Sequence, residues 1–320
     1  MILLKLLVYG AGVLGSELAH ELCTGNEVTL LARGERKLFL EKNGLVIRHS
    51  LQRKITHDTV KVIEELAPDD VYDMIFVVTQ FGCLKDILPL IAQNKTKRVI
   101  LIGNNADPDL TVEILQKNSP VTKEIAFAFY SACGRVENGL VISGHAKSRL
   151  TIGGIDYCLD SSYQTAIQKA FSHVRFSFVW QDNMKAWLLC HLAFILPACY
   201  TCYALDGKLQ KATKKQRQAI LDAGYEAYQM LKSQGIPIRP VGDEEYFKPA
   251  SRKRISMSAM LFIMCKTPLG RLAISDHAMH AVAEMQLLDQ KYEELCAKSS
   301  VSMPVWNSLR ENMVSFQELL

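Results

Sequence analysis

Leu6-Leu7-Val8-Tyr9-Gly10-Ala11-Gly12-Val13-Leu14-Gly15 is the stretch that decides the fold. An apolar run of strand type feeds directly into G-x-G-x-x-G. Ser16, Glu17, Leu18, Ala19 and Leu22 then continue in helical spacing. Each glycine has its own physical task. Gly10 permits a tight turn, Gly12 lets the main chain approach a pyrophosphate, and Gly15 lets the helix pack close to the strand. The N-terminus of that helix offers free N–H groups and a partial positive charge to a phosphate. A strand before the glycines and a helix after them is the context this motif needs. The pattern predicts a dinucleotide held by Gly10, Ala11, Gly12, Val13, Leu14 and Gly15.

Outward from this turn the first half alternates. Strand-like runs at 3–9, 27–32, 74–78, 98–102 and 125–129 are separated by helical patterns at 14–23, 36–43, 84–92 and 108–115. This rhythm predicts an α/β class with an N-terminal Rossmann-like, doubly wound sheet. Asn43-Gly44 reads as a turn into a further strand at Leu45-Val46-Ile47. A more polar, glycine-punctuated region is expected to carry the sheet to Ile152. From Tyr163 the pattern turns helical, with segments at 163–172, 183–205, 213–233, 255–264, 276–298 and 304–319. Gly235-Ile236-Pro237 ends one helix and Met303-Pro304 starts another. The expected division is a dinucleotide-binding domain over 1–165 and an all-helical substrate domain over 166–320, with a cleft between them.

Bulk properties narrow the function classes. The 320 residues are 49% hydrophobic and 22% charged, as in ordinary globular chains. A net charge of +4 with no aromatic-interleaved basic stripe argues against nucleic acid. Lys208–Arg217 and Arg252-Lys253-Arg254 read as solvated faces. Nine scattered cysteines suit a reducing cytoplasm better than a disulfide framework. Cys199 and Cys202 lie in an apolar run and read as core residues. Residues 186–205 lack Lys, Arg, Asp and Glu and could span a bilayer by length. Polar interruptions make a buried central helix the better reading, so no membrane partner is expected.

The end of the second strand reads the adenosine ribose. An acid there favours NAD, whereas an arginine accommodates a 2′-phosphate. Val28-Thr29-Leu30-Leu31-Ala32 ends in Arg33, with no acid at the position. A guanidinium binds phosphate through paired, charge-assisted hydrogen bonds, so NADP(H) is the expected cofactor.

Gly10–Gly15, then Leu30-Leu31-Ala32-Arg33-Gly34-Glu35-Arg36, then Asn43-Gly44-Leu45 resemble the opening of the ketopantoate reductases (2-dehydropantoate 2-reductases). The resemblance extends through Ile102-Gly103-Asn104-Asn105, Met184-Lys185-Ala186-Trp187 and Glu284, which lies twenty residues before Pro304. It implies Asn104 beside the nicotinamide, Lys185 as general acid and Glu284 as a catalytic-site carboxylate. It also implies a cytoplasmic NADPH-dependent reductase of a 2-oxo acid, of the kind used in pantothenate biosynthesis, with a homodimer among the expected assemblies. Departures are equally specific. Gln80 stands where the family has a lysine that helps hold the 2′-phosphate. Leu189 and Ala193 stand where the family presents two asparagines. If these two face the cleft, a more apolar carbonyl substrate is expected. Ser256, Ser258 and Ser275 are candidates for the substrate-binding serine, and Arg252, Lys253 and Arg254 for a carboxylate anchor. A non-catalytic NADP-binding sensor is the alternative from another class.

On its own chemistry Lys185 suits the role of proton donor, being a compact charge whose pKa responds readily to burial. His277, His280, Ala281 and Glu284 share one face of a continuous helix at i, i+3, i+4 and i+7 spacing. This face reads as a polar patch, and no metal is expected there, since hydride transfer from nicotinamide requires none. His191 reads as a satisfied core histidine.

Overall fold

The structure is a computed structural model that describes residues 3–144, 147–267 and 270–318, with side chains up to residue 313. The chain divides into two compact units, Met1–Met184 and Lys185–Leu320. The first therefore extends beyond the expected limit at 165, because a further strand completes its sheet. Its strands are β1 (Lys5–Tyr9), β2 (Glu27–Leu31), β3 (Leu45–His49), β4 (Lys54–Asp58), β5 (Lys61–Ile63), β6 (Met74–Val77), β7 (Arg98–Ile102), β8 (Glu124–Tyr130), β9 (Cys133–Glu137), β10 (Leu140–Gly144), β11 (Arg149–Gly153) and β12 (Ser177–Gln181). Its helices are α1 (Val13–Cys23), α2 (Gly34–Asn43), α3 (Leu84–Gln93), α4 (Pro108–Lys117) and α5 (Ser161–Ala170).

The main sheet has the order β12-β11-β8-β7-β6-β1-β2-β5. Neighbours from β5 to β8 run parallel, β11 pairs antiparallel with β8, and β12 runs parallel to β11. Such strands must be apolar on both faces. Met-Ile-Phe-Val in β6 is buried throughout, as are the last four residues of β1, β2 and β7. Each such Leu, Ile or Val contributes about 1.5–3 kcal/mol on leaving water. The order in which strands are added reverses between β1 and β6, which is where open α/β sheets bind ligands. The glycine turn follows β1 at that point.

The polar region before Ile152 departs from expectation. β11 does continue the main sheet, but β9 and β10 leave it to form a second sheet of order β4-β3-β10-β9. This sheet lies against α1, which follows the glycine turn. Buried Glu17 of α1 accepts from the Ser143 hydroxyl and has His49 Nδ1 at 3.3 Å. His20 Nδ1 lies 2.6 Å from Asp58 Oδ2. That hydrogen bond holds the His20 imidazole above its ordinary value of 6.5, against burial, with the charges of Asp58, Glu17 and Glu21 adding to it. A raised histidine pKa contributes stability that is full below the unfolded value and is lost as pH rises through the folded one. The urea midpoint should therefore fall as pH rises from about 6.5 through the raised folded value, by the equivalent of about 1 kcal/mol or less for a partly solvated pair. Asp58→Asn should flatten that dependence. An unaltered slope in this variant would show that the pair is not its source.

The second unit is helical: α6 (Met184–Tyr203), α7 (Lys214–Ser233), α8 (Arg252–Lys266), α9 (Asp276–His280), α10 (Val282–Cys296) and α11 (Pro304–Glu318). The last expected residue of the final helix, Leu319, lies outside the described residues. α6 is long and apolar enough to cross a membrane, but 78% of its most apolar window is buried inside the protein. It is the central core helix. Cys199 and Cys202 are buried within it, and burial pushes the Cys202 thiol up to about 11. The expected helix at 276–298 is interrupted. A π-helical turn at Arg271–Ser275 leads into α9, and Ala281 (φ −120°, ψ 35°) separates α9 from α10.

Candidate active site

The three glycines of the turn divide their tasks as their spacing requires. Gly10 adopts φ +118°, and a Cβ there would stand 2.2 Å from the Val78 carbonyl oxygen. At Gly15 a Cβ would stand 1.9 Å from the Gly10 oxygen. Helix, turn and neighbouring strand are thus in backbone contact. Gly12 is different: nothing lies within 4 Å of where its Cβ would be. It is the N-cap of α1, with no side-chain cap and no acid in the first turn. The orphan N–H groups are left for a ligand, and an anion fits there.

Arg36, which no spacing rule singles out, braces the turn. Its guanidinium donates to the Ala11 carbonyl (2.9 Å), to Ser16 Oγ (3.0 Å) and to the Gly139 carbonyl. The Gly139 contact ties the turn to the loop between β9 and β10. Arg33, at the end of β2, is held differently. Its Nη2 donates to the Tyr9 hydroxyl at 2.7 Å, and its Nε reaches the Glu64 carbonyl at 3.5 Å. The side chain remains exposed, so it is oriented but available. Gly34 beside it has φ +53° and open space around it.

Asn104 and Gln80 follow β7 and β6. Asn104 is 9% exposed, yet its Oδ1 has no hydrogen-bond partner, and neither does the buried Thr79 Oγ1. Both residues line a small pocket with Val77, Leu101, Gly103 and Phe127. Orphaned buried acceptors are rare, and here they converge on one space, which fits a donor such as a carboxamide. Thr79 is thus a site residue that sequence reasoning misses. Gln80 is exposed at the start of a 3₁₀ turn. Asn105 is structural: its side chain donates to Thr111 Oγ1 and accepts from the Asp107 amide. The acceptors, the open Gly12 and the uncapped α1 terminus all fit a nicotinamide dinucleotide.

Lys185 and Glu284 belong to the second unit. Lys185 is half-buried in the first turn of α6. Glu284 is 5% exposed in the first turn of α10, where a carboxylate is favoured by the helix N-terminus. Its Oε2 lies 4.0 Å from His277 Nε2. The expected polar face survives the helix break only in part, since His280 is exposed and bonds the Asp276 carbonyl in its own turn. His191 stacks on Trp187, with ring centroids 5.2 Å apart. Desolvation, then the charge of His277, push His191 down to about 4, so it is neutral near pH 7.

Several expectations change here. Leu189 and Ala193 are 3% and 0% exposed, with the Ala193 carbonyl against Gly224 of α7. They are closed to solvent. Arg254 is no free anchor: it donates to Asp222 Oδ1 at 2.7 Å and to the Phe247 carbonyl. Lys253 lies over the Tyr246 ring. Ser256 bonds the Lys253 carbonyl, Ser258 accepts from Gln218, and Ser275 is buried in the π-helical turn. Among the described residues, no three His, Cys, Asp or Glu side chains converge on a metal-sized space.

Residues 6–156 match the family described as "Ketopantoate reductase PanE/ApbA". No curated protein matches the chain. Solved structures share its fold along nearly the whole length. A D-mandelate dehydrogenase with NADH and anilino(oxo)acetate is 18% identical, with a TM-score of 0.74 and 98% of each chain covered. The PanE/ApbA family ketopantoate reductase of Ralstonia eutropha is 15% identical (TM-score 0.74), covering 98% of this chain and 99% of its own. The 2-dehydropantoate 2-reductase of Methylococcus capsulatus is 16% identical (TM-score 0.71), covering 99% of this chain and 97% of its own.

Proposed function

We propose that this chain, whose N-terminal unit carries a ketopantoate reductase PanE/ApbA domain, is a nicotinamide-dependent reductase that converts a 2-oxo acid to a 2-hydroxy acid. The observation that carries the reading is the glycine turn at the sheet's switch point, with Gly12 open and α1 uncapped. When bound, the nicotinamide would supply a hydride for the carbonyl carbon. The chain's own residues do the rest. The α1 terminus and the Gly10–Gly15 amides hold the pyrophosphate. Asn104 and Thr79 orient the carboxamide through their free acceptors. Lys185 delivers the proton to the carbonyl oxygen, and Glu284 holds the product hydroxyl. The solved relatives include both 2-dehydropantoate and D-mandelate enzymes, which supports a 2-oxo acid as the substrate class.

Arg33 supports NADPH over NADH. Arg33→Asp should weaken NADPH binding about 10- to 100-fold, as loss of a charge-assisted pair with phosphate does, and change NADH binding little. An equal loss for both dinucleotides would remove Arg33 from the 2′-phosphate.

The function is tested with purified protein, NADPH and a panel of 2-oxo acids that includes ketopantoate and phenylglyoxylate, following reduced-nicotinamide absorbance. Turnover of a panel member supports the reading. Tight NADPH binding with no turnover would favour a nucleotide sensor instead.

A further inference from the structure

The adenosine end of the site contains a carboxylate that the β2 sequence does not reveal. β5 runs parallel to β2 with Ile63 opposite Leu31, and the Ala32 amide donates to the Ile63 carbonyl at 3.0 Å. Glu64, the next residue, therefore stands beside Ala32 and Arg33. Its carbonyl takes the Arg33 Nε contact, and its Oε2 accepts from Lys37 Nζ at 2.7 Å. Lys37 is in the first turn after Arg33 on α2 and also has Glu41 Oε1 at 4.0 Å. Glu64 is half-exposed. In sheets of this kind an acid at the end of β2 accepts from the ribose 2′-hydroxyl and repels a 2′-phosphate. Here an acid reaches the same edge from the neighbouring strand, paired with a lysine.

We propose that Glu64 and Lys37 form a charge pair that sets the balance between NADPH and NADH. With Lys37 on Glu64, the carboxylate is neutralised and Arg33 meets the 2′-phosphate. With Lys37 turned away, Glu64 is a free acceptor for an unphosphorylated ribose. A solvated ion pair is held by little energy, so exchanging its partner for a ligand phosphate is easy. Glu64 thus tempers the preference that Arg33 alone would impose, and Lys37 takes the part of the lysine replaced by Gln80. The inference rests on the Gly10–Gly15 turn being a dinucleotide site.

The test measures NADPH and NADH dissociation constants by calorimetry at one fixed ionic strength, for the wild type, Glu64→Gln, Lys37→Gln and the double variant. The three variants replace solvated side chains, and thermal melts verify folding. Removing one negative charge near a phosphate should tighten NADPH about 3- to 10-fold and leave NADH equal or weaker. Lys37→Gln should weaken NADPH by a similar factor and spare NADH. In the double variant the ratio of NADPH affinity to NADH affinity should lie above that of Lys37→Gln alone, since the freed carboxylate is gone, and the two changes should not be additive. Ratios within about twofold of wild type in both single variants, a range that ordinary surface changes produce, overturn the proposal. If the wild type binds neither dinucleotide, the reading of the turn itself falls, and this inference with it.

Discussion

Lys185→Ala should lower kcat/KM for the best 2-oxo acid by about 10²–10⁴-fold, the usual contribution of a positioned general acid. NADPH affinity should change little, because the proposed pyrophosphate, ribose and carboxamide contacts all lie in the first unit. This split between turnover and cofactor binding separates a proton donor from a lysine that only supports α6. In the latter case both quantities would fall together with the melting temperature. Lys185→Arg gives a finer discrimination. An arginine keeps the charge but does not release a proton near neutral pH, so it should restore little of the rate. A wild-type rate in either variant would remove Lys185 from the chemistry. Glu284→Gln should cause a smaller loss, since it retains a hydrogen-bonding group at the product hydroxyl.

The parts of this site that can be read from the sequence are those whose constraints are local. Gly10 and Gly15 are required by contacts within a turn and one neighbouring strand, so their spacing is enough to find them. Arg33 follows β2 directly and is legible for the same reason. Glu64 is not, because its place depends on β5, a three-residue strand at the sheet edge whose partner only the fold identifies. Arg36 and Thr79 are hidden similarly: the carbonyls Arg36 braces and the acceptor Thr79 leaves open exist only after the strands are assembled. The polar segment from Cys133 to Gly144 has strand character, but period-two alternation does not say which sheet a strand joins. It pairs with β3 rather than extending the main sheet. β12 is short and only partly buried, which weakens its signal and set the expected domain limit too early. The break at Ala281 has no glycine or proline to announce it. Uninterrupted helical spacing therefore predicted a single polar face, of which the structure keeps only the approach of His277 to Glu284.

Asp289→Ala should lower the stability of the second unit by about 3–5 kcal/mol. Asp289 is 4% exposed on α10. Its Oδ1 accepts from the Tyr200 hydroxyl of α6 at 2.6 Å and from Arg310 Nε at 2.8 Å, while Oδ2 accepts from Arg310 Nη2 at 2.8 Å. The pair is bidentate, and Asp289 raises the Arg310 pKa through the hydrogen bond first and then through its charge. Beside it, Trp306 of α11 donates to Glu293 and packs edge-on against the Tyr200 ring. Removing the carboxylate leaves the buried Tyr200 phenol without its acceptor and Arg310 with only Glu293 Oε1, at 3.5 Å, and a buried group that loses its partner costs its full desolvation. At roughly 2–4 °C per kcal/mol the melting temperature should fall by roughly 6–20 °C. Asp289→Asn retains one acceptor and should fall between the variant and the wild type. The consequence extends to function. Asp289 bonds α6, whose first turn holds Lys185, to α10, which carries Glu284, so it fixes the two helices whose first turns supply the proposed chemistry. Well below its melting temperature, the Asp289→Asn protein should therefore lose turnover while binding NADPH normally. Full activity with a lowered melting temperature would confine Asp289 to stability.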